Sequence, residues 1–284
     1  MREINFTVTE ELHGVTTSYF LRQHGFSRRM ISNLKSTGGL TRSGEILRTV
    51  DVLSAGDIVT VVMEDSGTMV ANPELNAEIC YDDEDIVVFN KPPNMPVHPS
   101  IKHPNDTLGN LFSARFPGSV FRPVYRLDCN TSGLCVCAKT RHAAAVLAKN
   151  IDKVYYAVVK GDMDSGEITL PIGREEGSII RRKISSDGKP AHTIYSTIRC
   201  ENGNSLVRVI LKTGRTHQIR VHFLSMGYPL CGDDLYGGDC TGISRHALHC
   251  GEVSFVHPVT GERVTVTSEL PQDITALFES EVSI

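Results

Sequence analysis

Asp128 stands between a strand-like segment and a run of turn-forming residues, in RLDCNTSGL (residues 126–134). Aspartate favours turns because its carboxylate accepts hydrogen bonds from nearby backbone N–H groups. The four residues NTSG already suffice to make a turn, so the carboxylate is left available for chemistry. It can act as a nucleophile or as an acid–base group. Asp128 is therefore the first candidate catalytic residue.

A second candidate lies in TGRTHQIRVHFLSMG (residues 213–227), which predicts a helix with Thr216 as its cap. Helical spacing would place His217, Arg220 and Leu224 on one face. The apolar neighbours of Arg220 predict that this arginine is partly buried.

A buried guanidinium requires an anionic partner, and Asp128 is the natural candidate for Arg220. Such a pair would keep Asp128 ionised. The alternative is an exposed arginine beside a core helix.

A third candidate comes from KVYYAVVKG (residues 153–161), which predicts a strand. Tyr155 and Tyr156 would face opposite sides of it, so that one packs in the core while the other lines a cleft. Two ordinary strand tyrosines are the alternative.

Other site classes have weaker support. The histidines and cysteines show no zinc-finger or HExxH spacing, so no metal site is expected. A glycosidase would need a second carboxylate facing Asp128. Asp233 or Asp234 could supply it, but GDDLYGG is more typical of a loop.

The bulk composition is that of an ordinary globular protein. The chain has 284 residues, 40% of them hydrophobic and 22% charged, which suits one large domain or a medium and a small one. No apolar run approaches the ~20 residues of a membrane span, so no membrane partner is expected. The eight cysteines form no CxxC pair or disulfide framework. Reduced thiols and a cytoplasmic location are therefore expected.

Two acid-poor basic stretches stand out against the net charge of −4. Residues 22–48 carry six basic side chains against Glu45, and residues 208–220 carry four against none. Single charge runs are commonly solvated faces, but two in a weakly acidic chain favour a polyanionic partner. The candidate contacts are Arg28, Arg29, Lys35, Arg215 and His217.

The order of elements predicts two domains, residues 1–70 and 71–284. The first would contain two short helices, the second capped by Ser27, and then the strand DIVTVVM. Residues 64–75 have the composition of a linker. The remainder, in which YRLD and LCVCAKT would form a strand–turn–strand unit, predicts a strand-rich α+β fold.

The first domain resembles the small RNA-binding domain of ribosomal small-subunit protein four. The match rests on SRRMISNLK followed by LSAGDIVTV. The resemblance implies that Arg28, Arg29 and Lys35 contact RNA phosphates. GGLTRSG departs from the pattern, because the family usually has an Asn-Gly turn there. A small helical appendage with exposed charge is the alternative.

The rest of the chain resembles the RluA-type pseudouridine synthases over about residues 79–258. The motifs, in the family's order, are YDDEDIVVFNKPPNMPVHP, RLDCNTSGLCVCAKT, KVYYAVVKG, GRTHQIRVHFLSMGYPLCGDDLYGG, and RHALHC followed by HP. The resemblance implies an RNA-modifying isomerase with a mixed, mainly antiparallel sheet and flanking helices. It also implies a monomer.

The resemblance assigns roles to five residues. Asp128 would be the catalytic aspartate, and Arg220 its partner. Tyr155 would stack on the target base and move a proton. Arg126 would fill the gap left by the flipped base, and Leu248 would back the pocket.

Three residues depart from the family's pattern. Tyr125 stands where many members have His, Cys129 where a longer polar residue is common, and Asn94 where Gly is usual. Asn tolerates the left-handed backbone such a glycine would adopt.

The implied reaction needs neither redox chemistry nor added energy, so no cofactor is expected. Whether Asp128 attacks sugar or base, or serves as an acid–base group, stays open. The substrate would be large-subunit ribosomal RNA or transfer RNA. The alternatives are a non-catalytic, ribosome-associated RNA-binding protein and a retaining nucleoside glycosylase.

Overall fold

The computed structural model describes residues 2–63 and 69–279. The predicted linker, residues 64–75, lies partly outside these residues, so the boundary at residue 70 stays a prediction. Among the described residues, no helix combines the length and apolarity needed to cross a membrane.

The amino-terminal part folds as a small sheet against two helices. Its elements are β1 (Arg2–Thr7), α1 (Thr17–Gln23), α2 (Arg28–Thr37), β2 (Leu40–Arg42), β3 (Glu45–Ile46) and β4 (Ile58–Met63). The strand order is β1-β4-β2-β3, and a short 3-10 turn covers Glu10–Leu12. A separate apolar core holds it together, with Phe20, Leu21 and Val61 fully buried.

Local sequence explains its helix start and its tight turn. Ser27 caps α2, as predicted, by accepting a hydrogen bond from the Met30 N–H at 3.3 Å. Ser43 and Gly44 have φ values of 53° and 84° between β2 and β3. Positive φ at both central residues is typical of the hairpin turn that Asn-Gly usually makes, so Ser-Gly fills the same role here.

The described residues from 69 onward build one ten-stranded sheet with a separate two-stranded ribbon and four helices. The strands are β5 (Glu78–Asp82), β6 (Ile86–Lys91), β7 (Arg122–Pro123), β8 (Ser132–Ala138), β9 (Ile151–Lys160), β10 (Gly166–Ile168), β11 (Ile172–Arg174), β12 (Arg182–Ile184), β13 (Thr193–Glu201), β14 (Asn204–Leu211), β15 (Leu248–Val256) and β16 (Arg263–Thr267). The helices are α3 (Leu108–Arg115), α4 (Arg141–Leu147), α5 (Gln218–Ser225) and α6 (Gln272–Thr275). A final 3-10 turn covers Ala276–Phe278.

The sheet order is β10-β13-β14-β9-β15-β8-β6-β5, with β16 beside β15 and β7 beside β8. All of these pairs are antiparallel except β8 with β15, which is parallel. The mixed, mainly antiparallel α+β fold is therefore confirmed. β11 and β12 form the ribbon outside the sheet.

The parallel pair depends on a glycine. Gly133 has φ of 107°, and a Cβ there would lie 2.3 Å from the Cys250 carbonyl oxygen. Only glycine permits this close approach. This close approach joins the start of β8, which directly follows the Asp128 turn, to the start of β15.

The expected strand–turn–strand unit around Asp128 is wrong in its first half. Strand β7 ends at Pro123, and residues 124–128 run as a loop into the turn. The Val124 N–H still donates to the Val136 carbonyl at 2.8 Å, which ties the start of this loop to β8. The loop frees the segment from the ladder and lets Asp128 reach a cleft.

Candidate active site

Asp128 opens a tight turn at the floor of a cleft. The Thr131 N–H donates to the Asp128 carbonyl at 3.1 Å, which closes the turn. The Asp128 side chain is 28% exposed and lines both an outer cavity of about 800 Å³ and a small inner one of about 60 Å³. Its carboxylate is thus accessible to a ligand.

Arg220 links Asp128 to a second aspartate that the sequence did not assign to it. Its Nη1 donates to Asp128 Oδ2 at 3.2 Å, as predicted. Its Nε and Nη2 donate to the two carboxylate oxygens of Asp233, each at 2.7 Å. Asp233 is fully buried, and the Arg220 side chain is only 5% exposed. The closer anionic partner of Arg220 is therefore Asp233, which the sequence offered only as a second glycosidase carboxylate.

The network keeps Arg220 charged. Burial alone would lower the pKa of Arg220, but hydrogen bonds and charge from Asp233 and Asp128 outweigh it and raise the pKa. A bidentate pair also fixes the guanidinium plane. Arg220 thus presents an N–H of Nη1 to Asp128 in a defined direction.

The helix that carries Arg220 begins later than predicted. Thr216 is not its cap, since α5 starts at Gln218 after His217, whose φ is 57°. The predicted shared face also fails at Leu224, which is 36% exposed while Arg220 is buried.

The side chain of Gln218 explains this start. Its Oε1 accepts hydrogen bonds from the Arg215 N–H at 2.9 Å and from the Thr213 hydroxyl at 2.8 Å. Its Nε2 donates to the His192 carbonyl at 3.0 Å. Gln218 thereby holds the preceding loop without a cap at Thr216.

His217 faces Asp128 through Nε2 of its ring. The Tyr236 hydroxyl oxygen accepts a hydrogen bond from the Arg182 N–H and shares another with His217 Nδ1, both at 2.9 Å. The other ring nitrogen, Nε2, lies 3.8 Å from Asp128 Oδ2. Burial is the main reason that the pKa of His217 is lowered, which favours this neutral ring.

Tyr155 and Leu248 form apolar walls beside Asp128. Each is 5% exposed, and both line the inner cavity. Burial raises the pKa of Tyr155 well above its usual value, so its hydroxyl stays protonated. Tyr156 packs against a different apolar cluster, as expected of neighbours on one strand.

The mouth of the cleft is basic. Arg126 is exposed and lines both cavities around Asp128. Arg215 lines both cavities as well. It also lines an adjoining groove of about 460 Å³, together with Arg174, Arg182 and Lys189. The Arg215 Nε donates to the Pro190 carbonyl at 2.9 Å, which anchors it between the cavities.

The remaining predicted contacts lie elsewhere. Arg28, Arg29 and Lys35 are exposed on α2, and none of them lines the cavities at Asp128. Arg29 lines a separate groove of about 630 Å³ that also includes Arg141.

One group among the described residues has metal-like composition: Asp83, Asp85 and His257. His257 Nδ1 accepts from the Val259 and Thr260 N–H groups, so its Nε2 proton is directed at Asp83, 2.9 Å away. The histidine is thus engaged in a structural hydrogen-bond network.

Comparison with known proteins shows what the chain is similar to. Residues 85–225 match the model of the RNA pseudouridylate synthase family. An uncharacterized RNA pseudouridine synthase of Bacillus subtilis, YjbO, is 37% identical over 94% of this chain and 99% of its own length. Ribosomal large subunit pseudouridine synthase D of Pseudomonas aeruginosa is 35% identical over 89% of this chain and 87% of its own.

A solved structure shows the same fold. Human RNA Pseudouridylate Synthase Domain Containing 1 superimposes with a TM-score of 0.59 and 28% identity, covering 72% of this chain and 88% of that one. The chain therefore belongs to the RluA-type family of RNA pseudouridine synthases, which are isomerases that act on RNA.

Proposed function

We propose that Asp128 is the catalytic carboxylate with which this enzyme converts uridines of structured RNA to pseudouridine. The observation that carries this proposal is the accessible Asp128 carboxylate, held by buried Arg220 beside Tyr155 and Leu248. The cavity offers a charged group and apolar walls, which suit a flat, uncharged base.

The reaction breaks the bond between sugar carbon 1 and the base nitrogen, turns the uracil and joins carbon 5 to the same sugar carbon. Atoms balance within the nucleotide, apart from exchange of the carbon 5 proton with water. The target base must leave its stack to reach Asp128. Asp128 acts on the sugar or the base as a nucleophile, or moves protons.

The protonation states favour Asp128 over its neighbours as the proton acceptor. Tyr155 is held as a neutral phenol by burial, so its ring can stack while its hydroxyl is a poor base. Burial lowers the pKa of His217, so its ring is a weaker base than a free imidazole. The proton of carbon 5 therefore needs a carboxylate at some stage, directly or through the Tyr155 hydroxyl.

The substrate we propose is a structured segment of large-subunit ribosomal RNA. The relative named ribosomal large subunit pseudouridine synthase D supports this substrate. The basic groove that continues from Arg126 and Arg215 towards the β11–β12 ribbon would hold flanking phosphates. Transfer RNA is the second substrate to test.

The test is tritium release from RNA labelled at carbon 5 of uridine. Wild-type protein, Asp128→Asn and Asp234→Asn would be compared on ribosomal and transfer RNA transcripts. Asp234 is an exposed aspartate next to Asp233 and serves as the matched control. We expect Asp128→Asn to lose on the order of 1000-fold in rate and to bind RNA within a few fold of wild type.

Each alternative outcome has a distinct meaning. Binding without tritium release from any RNA by wild type would favour a non-catalytic RNA-binding protein. Loss of both binding and release in Asp128→Asn would make Asp128 a structural residue. Conversion of free uridine to uracil without tritium release would favour a nucleosidase.

A further inference from the structure

The turn that carries Asp128 is held from behind by side chains of distant segments. The Cys129 carbonyl accepts a hydrogen bond from Lys91 Nζ at 2.9 Å. The next carbonyl, of Asn130, accepts one from Arg245 Nη1 at 3.1 Å. Lys91 is fully buried and the Arg245 side chain is 4% exposed. Neither bond is available to a turn in isolation.

Two buried histidines continue this pattern along the same turn. The Thr131 hydroxyl lies 2.8 Å from His246 Nε2, and the Ser132 hydroxyl lies 3.0 Å from His249 Nδ1. Four consecutive residues after Asp128 are thus each bonded to a buried side chain. We call these side chains the turn clamp: Lys91, Arg245, His246 and His249. Three of the four come from RHALHC, a motif to which the site chemistry gives no role beyond Leu248.

Arg245 joins the turn clamp to the last helix of the described chain. Its Nε and Nη2 donate to the two oxygens of Asp273 in α6, at 2.6 and 2.9 Å. Its Nη1 also lies 3.3 Å from the Leu248 carbonyl. One guanidinium therefore fixes the turn after Asp128, the residue that backs the inner cavity, and helix α6.

We propose that Arg245 is a positioning residue for Asp128 and that Asp273 holds Arg245 in place. Helix α6 would then contribute to catalysis without contacting the cleft. This inference rests on the proposed catalytic role of Asp128.

The geometry of Asp128 explains why such support matters. The carboxylate receives a single hydrogen bond from Arg220, at 3.2 Å, so its position depends on the backbone that carries it. A displacement of roughly 1 Å at a reacting group can cost on the order of 100-fold in rate. Arg245 reaches that backbone at the second residue after Asp128.

The test compares Asp273→Asn and Arg245→Lys with wild type. Asp273→Asn keeps the shape of the side chain but removes the charge opposite Arg245. Arg245→Lys keeps the charge but cannot make the bidentate pair and the bond to Asn130 together. Asp83→Asn is the matched control, because Asp83 also bonds a nearly buried side chain, His257, but lies in a different network.

Two readouts separate positioning from stability. The first is the single-turnover rate at saturating RNA, with the RNA Kd, at a temperature where circular dichroism shows each variant folded. The second is iodoacetamide labelling of Cys129, quantified by peptide mass spectrometry against exposed Cys240. Labelling of Cys129 reports on the turn itself, independently of activity.

We expect a rate about 10-fold lower in Asp273→Asn and about 100-fold lower in Arg245→Lys, with Kd within twofold. Cys129 labelling should rise at least about fivefold in both. The Asp83→Asn control should keep both values within twofold. If Arg245→Lys does not fold, Asp273→Asn decides alone.

The inference would be overturned if folded Asp273→Asn kept the wild-type rate and the wild-type labelling of Cys129. It would also be overturned if Asp83→Asn lost as much rate as Asp273→Asn. Absence of tritium release in wild type would instead contradict the proposed function. Labelling would then still decide whether Arg245 and Asp273 hold the turn.

Discussion

Asp233 and Asp128 share one arginine but have different burial. Asp233 is fully buried and makes two short bonds to Arg220, while the Asp128 side chain is 28% exposed and makes one longer bond. Removing one partner of a buried pair leaves an uncompensated charge, whereas a half-exposed partner can be replaced by water. Asp233 therefore stabilises the fold, and Asp128 is available for chemistry.

The first prediction follows from this difference. Asp233→Asn should lower the free energy of unfolding by about 3 kcal/mol, because the Arg220 charge then stays buried with only Asp128 near it. Asp128→Asn should lower it by less than about 1 kcal/mol. Urea unfolding at pH 7.5 measures both. Equal losses would contradict the assignment of Asp233 as the main stabilising partner.

The sequence predicted the pair of Asp128 and Arg220 but not the residues that support it. Asp128 and Arg220 could be paired because the turn does not require the Asp128 carboxylate, and an arginine predicted to be buried requires an anionic partner. Asp233 and Tyr236 lie in a segment with the composition of a loop, and their contacts to Arg220 and His217 exist only once the chain has folded. Residue type and spacing carry no signal for such contacts.

At the scale of elements, strands were easier to predict than the segments between them. The strands predicted for DIVTVVM, LCVCAKT and KVYYAVVKG were located correctly, as β4, β8 and β9. The start of α5 was wrong because Gln218, through its own side-chain bonds, replaces the cap expected at Thr216. The strand predicted for YRLD was wrong, because the backbone of these residues leaves the sheet and runs as a loop into the cleft.

The segment before and within β15 should make the fold sensitive to acid. Burial lowers the pKa of His246 to about 2 and that of His249 to about 4. The folded state therefore keeps both rings neutral, while the unfolded chain protonates them below its pKa of about 6.5. Stability is full above that value and is lost as the pH falls through it.

The second prediction gives this loss a size. Lowering the pH from 7.5 to 5.5 should reduce the free energy of unfolding by about 1.4 kcal/mol for each of the two histidines. His246→Gln keeps an amide that can bond Thr131 but removes one titrating ring, so its loss should be about 1.4 kcal/mol smaller. Urea unfolding at both pH values measures the difference. The same pH dependence in wild type and variant would contradict it.

At the scale of the molecule, the two cores touch through a specific contact. Phe26 stacks on His142 of α4 with ring centroids 4.3 Å apart, and a Cβ at Gly25 would lie 2.5 Å from a methyl carbon of Val146. Such close packing favours a fixed orientation of the amino-terminal part relative to the rest of the chain. The exposed basic residues of α2 would then be presented in one direction relative to the cleft.

The last prediction concerns that basic face. Arg28→Ser with Lys35→Ser should weaken RNA binding about 10-fold at 0.1 M salt, because exposed basic side chains contribute by displacing counterions from phosphates. The salt dependence of log Kd should become shallower by one to two, roughly one for each lost contact. The single-turnover rate at saturating RNA should not change, since neither residue lines the cavities at Asp128.

Lys160→Ser with Arg199→Ser removes the same charge from exposed positions outside α2 and serves as the control. Filter binding across a salt series gives both slopes. Equal slopes in the two double variants would place the RNA away from α2. They would contradict the expectation that the first seventy residues bind RNA phosphates.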